Sequence, residues 1–191
     1  MKLSRKILPK ILIVCLAAFL TLWIGNRVKA ATTWAHLWAY TNFTLDTSIA
    51  GGMATYMANS GNDYSNNTDL NWTGTQGVIK GYESNFGQFA YYQAYTYPSN
   101  ALGQNCYYYP TPYATGNCNT TTQKATSSLI YFNTYYLSSN RDWLARHEMG
   151  HVFGLYHPSC SAAATVMYDT SCGTFYTTLQ ADEKNWINNT Y

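Results

Sequence analysis

Between His147 and His157 the chain reads HEMGHVFGLYH, which gathers three of its four histidines and one glutamate into a single short stretch. On a helix, His147 and His151 are four positions apart and project from one face about a turn from each other, so both imidazoles can reach one metal ion. Gly154 is a natural stop for that helix. Without a Cβ it takes positive φ freely, and the bend after it can bring His157 round as a third ligand. Three neutral imidazoles leave a fourth tetrahedral place for water, the open coordination that a catalytic zinc needs and a structural zinc lacks. Glu148 follows the first ligand and is turned toward that water instead of the metal. A carboxylate there can take the water's proton during attack and later return it to a departing amine. The chemistry is metal-assisted hydrolysis of an amide, with one catalytic Zn2+ as cofactor. A lone histidine is ordinarily a satisfied core or surface residue, but that explanation would have to hold three times here at ligand spacing.

The elements around this stretch must hold it. Ser138-Ser139-Asn140 are cap formers, and the helix formers that follow carry the motif; Leu144, Met149, Val152 and Phe153 make no single stripe, which predicts a helix buried on more than one side. Upstream, Trp34 to Tyr40 reads as a first strand. Thr47 or Ser48 then caps a helix running to about Asn59, and the polar stretch 60 to 74 reads as a loop. Gly77 to Tyr82, Phe89 to Tyr97 and Leu129 to Phe132 read as strands, with a long loop from Pro98 to Gln123 before the last of them. A final helix spans Leu179 to Asn188, with Asp182 and Glu183 in its first turn where the helix dipole favours them. Strands before helices with little alternation predict the α+β class.

The pattern H-E-x-x-H-x-x-G-x-x-H, followed by Thr165-Val166-Met167-Tyr168, resembles the signature of the metzincin clan of zinc metalloproteases, and within it the small secreted matrixin-like branch. The strand Ile130 to Asn133 and the closing segment Asp182 to Tyr191 also match, so the resemblance covers about the last third of the chain. It implies a zincin catalytic domain with a twisted, mostly parallel sheet, an antiparallel edge strand, an active-site helix and a C-terminal helix. It also implies that Met167 lies beneath the zinc-binding histidines as an apolar floor. Substrate would lie extended along the sheet edge, with Leu129 to Phe132 as the candidate strand and Phe89 to Tyr97 as its competitor. Side-chain preference would come from a pocket behind the zinc lined by Cys160 to Thr178. The chain departs from the branch at Asp169, where proline usually follows Met-Tyr. No cysteine-switch segment is found before the domain. The nine acidic residues are scattered and form no clear calcium loop, so a structural Ca2+ is left open.

At 191 residues the chain has room for one domain with a core. Residues 1–30 read as a secretory signal peptide, with a basic start (Lys2, Arg5, Lys6, Lys10), an apolar run from Ile11 to Ile24 too short to span a bilayer, and small residues before Ala31. Residues 31–191 are then the single catalytic domain. Export removes six of the eleven basic residues and none of the nine acidic ones, leaving five against nine and a formal charge of −4. That balance excludes nucleic acid and stable membrane association as expectations; an extracellular monomer acting on protein or peptide is expected. Cys106, Cys118, Cys160 and Cys172 allow three pairings, of which the local Cys106–Cys118 and Cys160–Cys172 are expected in an oxidising compartment. Two alternatives to a secreted endopeptidase stay open: a cell-wall peptide hydrolase of the same chemistry with a different target, and, on the 19 tyrosines, a secreted Tyr-rich binding or adhesion module.

Overall fold

Residues 32–33, 37–73, 77–89, 93–99, 124–137, 139–161 and 164–191 are described in a computed structural model. The signal segment 1–30, the Cys106–Cys118 pair and nearly all of the loop 98–123 lie outside the described residues. In chain order the elements are β1 (Thr32–Thr33), β2 (Asn42–Ile49), α1 (Ala54–Asn67), β3 (Asn71–Trp72), β4 (Val78–Ser84), β5 (Ala94–Ser99), β6 (Ser127–Asn133), α2 (Arg141–Val152), β7 (Leu155–Tyr156) and α3 (Ala181–Thr190). Five strands form one sheet in the order β3-β2-β4-β6-β5. The first four run parallel, and β5 lies antiparallel to β6 at the edge. The chain is therefore α+β, with a mostly parallel sheet, one antiparallel edge strand and three helices among the described residues.

Two expectations in the first third are corrected. Of the expected strand from Trp34 to Tyr40, the described part contributes only an isolated bridge between Trp38 and Ala125. The first strand of the sheet is β2, and it contains Thr47 and Ser48, the residues expected to cap a helix. β-Branched and aromatic residues suit a pleated strand: Phe43 is buried and Leu45 packs on the same core. The helix then begins later, at Ala54, and runs on through residues expected to be loop, as far as Asn67. Its buried face is Met57, Ser60, Gly61 and Tyr64, which is helical spacing written partly in small residues. Gly61 is needed for closeness, because an added Cβ would stand 2.6 Å from Leu45 Cδ1 and 3.2 Å from Trp72 Cε3. A glycine that reads as a breaker is here the point where α1 touches the sheet.

The core lies between one face of the sheet and the helices α1 and α2. Ile79, Ile130 and Phe132 point into it from the strands, Met53, Met57 and Tyr64 from the α1 side, and Trp143, Met149 and Val152 from α2. Every residue of α2 from Trp143 to Val152 is buried, as the absence of a single stripe predicts. An ion pair ties the two helices together, with Arg146 Nε 2.7 Å from Asp63 Oδ2, and Tyr64 donates its hydroxyl to the Arg146 carbonyl at 3.0 Å. On the opposite face of the sheet Tyr82, Tyr95, Tyr97 and Tyr131 are half-buried and pack ring against ring, with Tyr95 and Tyr131 stacked at 5.0 Å. The sheet edge beside α2 is β5. Leu129 to Phe132, expected at that edge, belongs to β6 and is paired on both sides.

Candidate metal centre

His147 and His151 stand one turn apart on α2, and the chain leaves the helix at Gly154, whose φ is +89°. That left-handed conformation, cheap only for glycine, reverses the backbone into β7, which pairs with β1 and carries His157 back under the helix. The three rings converge. His157 Nε2 lies 2.9 Å from His147 Nε2 and 3.0 Å from His151 Nε2. Imidazole nitrogens bound tetrahedrally to one zinc at about 2.0–2.1 Å would stand roughly 3.3 Å apart, so these two separations need to open by only a few tenths of an ångström. Among the described residues these three imidazoles form the group that could hold a metal ion, and no carboxylate is part of it.

The proton positions fit a cation. His147 Nδ1 faces the Val166 carbonyl at 2.9 Å, and His151 Nδ1 faces the Leu155 carbonyl at 2.9 Å. A carbonyl only accepts, so both Nδ1 atoms carry the proton and both Nε2 atoms present lone pairs inward. A hydrogen on His157 Nε2 could satisfy one of them; a metal ion satisfies all three. Burial holds His147 down to about 3, helped by the neighbouring His157 and opposed by the Val166 hydrogen bond and Asp169. His157 is held low by burial as well, with Asp169 acting the other way. Neutral rings are the form that ligates.

Glu148 is not part of that group. Its Oε2 accepts a 2.5 Å hydrogen bond from Thr96 Oγ1 on the edge strand β5, and its side chain is only 5% exposed. Burial pushes the carboxyl up to about 7, against the lowering effect of the Thr96 hydrogen bond. Such a group holds and releases a proton near neutrality, while a divalent cation close by would favour its charged form.

Met167 is fully buried under α2. It packs against Gly150, where an added Cβ would press deep into van der Waals contact with the Met167 sulfur. The turn that carries it is fixed from two helices. The Val166 carbonyl accepts from Trp143 Nε1 at 2.9 Å as well as facing His147, and the Val166 amide donates to Glu183 Oε1 at 3.1 Å. The other Glu183 oxygen closes a capping box by accepting from the Gln180 amide at 2.8 Å. Glu183, read from the sequence as a dipole residue, therefore also braces the turn behind the first ligand. Asp169 accepts from the Ser171 amide at 2.8 Å and starts the short 3-10 turn Thr170–Cys172, a turn that a proline at this place could not begin in this way. Its other oxygen lies 3.6 Å from His157 Nδ1. The Cys160–Cys172 bridge is present, closing the loop between His157 and this turn.

No family model matches the chain, and no curated protein is found to match it. Among the described residues no helix is long and apolar enough to cross a membrane. Thr96, Glu183, Gly150 and the carbonyls of Leu155 and Val166 were not marked by the sequence as parts of the site. Spacing carried no signal for Thr96, 52 residues from its partner, and the capping box of Glu183 was hidden because Gln180 stands where Ser, Thr, Asp or Asn would mark one.

Proposed function

We propose that the chain is a zinc-dependent endopeptidase of the metzincin kind, exported and acting outside the cell. The observation that carries the reading is the meeting of three inward-facing Nε2 atoms, two of them fixed as lone-pair donors by backbone carbonyls, on a helix whose next residue after the first histidine, Glu148, is a buried carboxyl bonded to the edge strand β5. A zinc ion held by His147, His151 and His157 would supply a Lewis acid for a scissile carbonyl and acidify water at its free place. The protein does the rest. Glu148 takes the proton of the attacking water and returns it to the leaving amine, a double role suited to a carboxyl whose proton is held near neutrality. β5 aligns the substrate by adding an extended peptide to the sheet edge, and Pro98 sits on that edge strand as proline must, at the rim. The Val166 carbonyl keeps the ring of His147 from turning, and Met167 packs against the same helix at Gly150.

The test is metal analysis of the purified chain beside digestion of casein with and without a chelator. One zinc per chain and chelator-sensitive cleavage are expected. Glu148→Ala should keep the metal and lose cleavage by several orders of magnitude. An adhesion module would lose nothing in that variant, and a cell-wall hydrolase would cut peptidoglycan peptides in preference to casein.

A further inference from the structure

The endopeptidase reading leaves Thr96 unused, yet it is the only described residue whose side chain is hydrogen-bonded to the Glu148 carboxylate. Thr96 is 3% exposed, and its hydroxyl lies 2.5 Å from Glu148 Oε2 and 3.1 Å from the Glu148 carbonyl. A hydroxyl has one hydrogen, and the shorter contact to the carboxylate takes it. The backbone of the same residue faces the other way. The ladder between β5 and β6 runs through the odd-numbered residues of β5, as the 2.7 Å bond from the Asn133 amide to the Gln93 carbonyl and the pairing of Thr96 with Ile130 fix it. By alternation the amide and carbonyl of Thr96 point away from β6, toward the side of β5 that no described strand pairs. One residue thus joins the strand that would pair with substrate to the carboxyl that would move the proton.

Building on the endopeptidase reading, we propose that Thr96 is a positioning residue: its hydroxyl fixes one oxygen of Glu148, leaving the other for water, and its backbone links that orientation to substrate pairing along β5. A buried carboxylate held at one oxygen has a single orientation to offer, so less must be ordered at the moment of attack. Pairing of a peptide with the Thr96 amide and carbonyl stiffens the strand from which the hydroxyl projects. Substrates long enough to pair there then gain in kcat as well as in KM.

The test uses Thr96→Val, which keeps shape and removes the hydroxyl, and Thr96→Ser, which restores it. In Thr96→Val, kcat on an extended peptide should fall about 10- to 100-fold, the usual range for residues that orient active groups, with KM and zinc content within about twofold. Thr96→Ser should recover most of the loss. A readout independent of turnover is the Thr96 hydroxyl proton in NMR of the metal-free chain: buried and donated to a carboxylate, it should exchange slowly and shift when Glu148 is changed to Gln. If kcat of Thr96→Val stays within twofold, or Thr96→Ser loses as much as Thr96→Val, the positioning role is wrong. An unchanged hydroxyl signal in Glu148→Gln overturns the hydrogen bond itself. A zinc-loaded wild-type chain with the shifted signal but no peptidase activity instead overturns the endopeptidase reading, and the role in catalysis with it.

Discussion

Gly150 lies on α2 between His147 and His151, and replacing it with alanine tests how the helix sits on Met167. A Cβ there would intrude on the Met167 sulfur and stand 3.0 Å from Tyr64 Oη. Carbon contacts relax at about 3.5–4.0 Å, so the sulfur must retreat by about 1 Å or more within a fully packed core. Overpacking of this kind costs about 1–3 kcal/mol. Removing a glycine from a helix interior contributes about 1 kcal/mol in the other direction. The net expectation for Gly150→Ala is a loss of about 1 kcal/mol. In a Met167→Ala background, itself destabilised by about 2–5 kcal/mol, the sulfur is gone and the same substitution should stabilise by about 1 kcal/mol. The approach to Tyr64 Oη is common to both backgrounds and cancels. Urea unfolding of the four chains of this cycle should give a coupling of about 1–3 kcal/mol. Equal effects of Gly150→Ala in both backgrounds, within about 0.5 kcal/mol, would show that Met167 does not lie against α2 at this position.

Gly154→Ala forces a Cβ into the left-handed region at φ +89°, so it should lose about 1–2 kcal/mol of stability and bind zinc about tenfold more weakly, read by competition with a chromophoric chelator. Tyr191→Phe removes the hydroxyl that accepts from the Trp38 amide at 2.7 Å and donates to the Phe153 carbonyl at 2.9 Å; a loss of about 1–3 kcal/mol is expected in urea unfolding. Glu183 is raised by burial, so above the ordinary carboxyl value of about 4.3 the unfolded chain ionises first and stability should decline as pH rises toward the folded value. Glu183→Gln should be less stable throughout but flatter across that window, measured by unfolding at a series of pH values.

The convergence of His147, His151 and His157 was legible because its geometry is local: a four-residue helical step, a glycine and a short return determine where three rings go. The α+β class followed from element order in the same way. What misled was the stretch from Trp34 to Asn67. There the strand β2 is written in threonine and serine, which also cap helices, and α1 hides its buried face in Ser60 and Gly61. Burial against the sheet, and the partner that Tyr64 finds in the Arg146 carbonyl, outweigh the polar composition of residues 60–67. The edge strand was misplaced for a related reason. Leu129 to Phe132 is the more apolar segment, and apolar runs go to the sheet interior, while β5 carries a proline that only an edge tolerates. Thr96 and Glu183 act across long sequence separations, and periodicity carries no record of such contacts.

The most direct test of the central claim is X-ray absorption of the chain loaded with one equivalent of zinc. Three imidazole nitrogens at about 2.0–2.1 Å and one further light ligand are expected, with the imidazole signal weakened in His157→Ala. A shell containing sulfur at about 2.3 Å, or one unchanged when His157 is removed, would contradict the convergence of His147, His151 and His157 on a single ion.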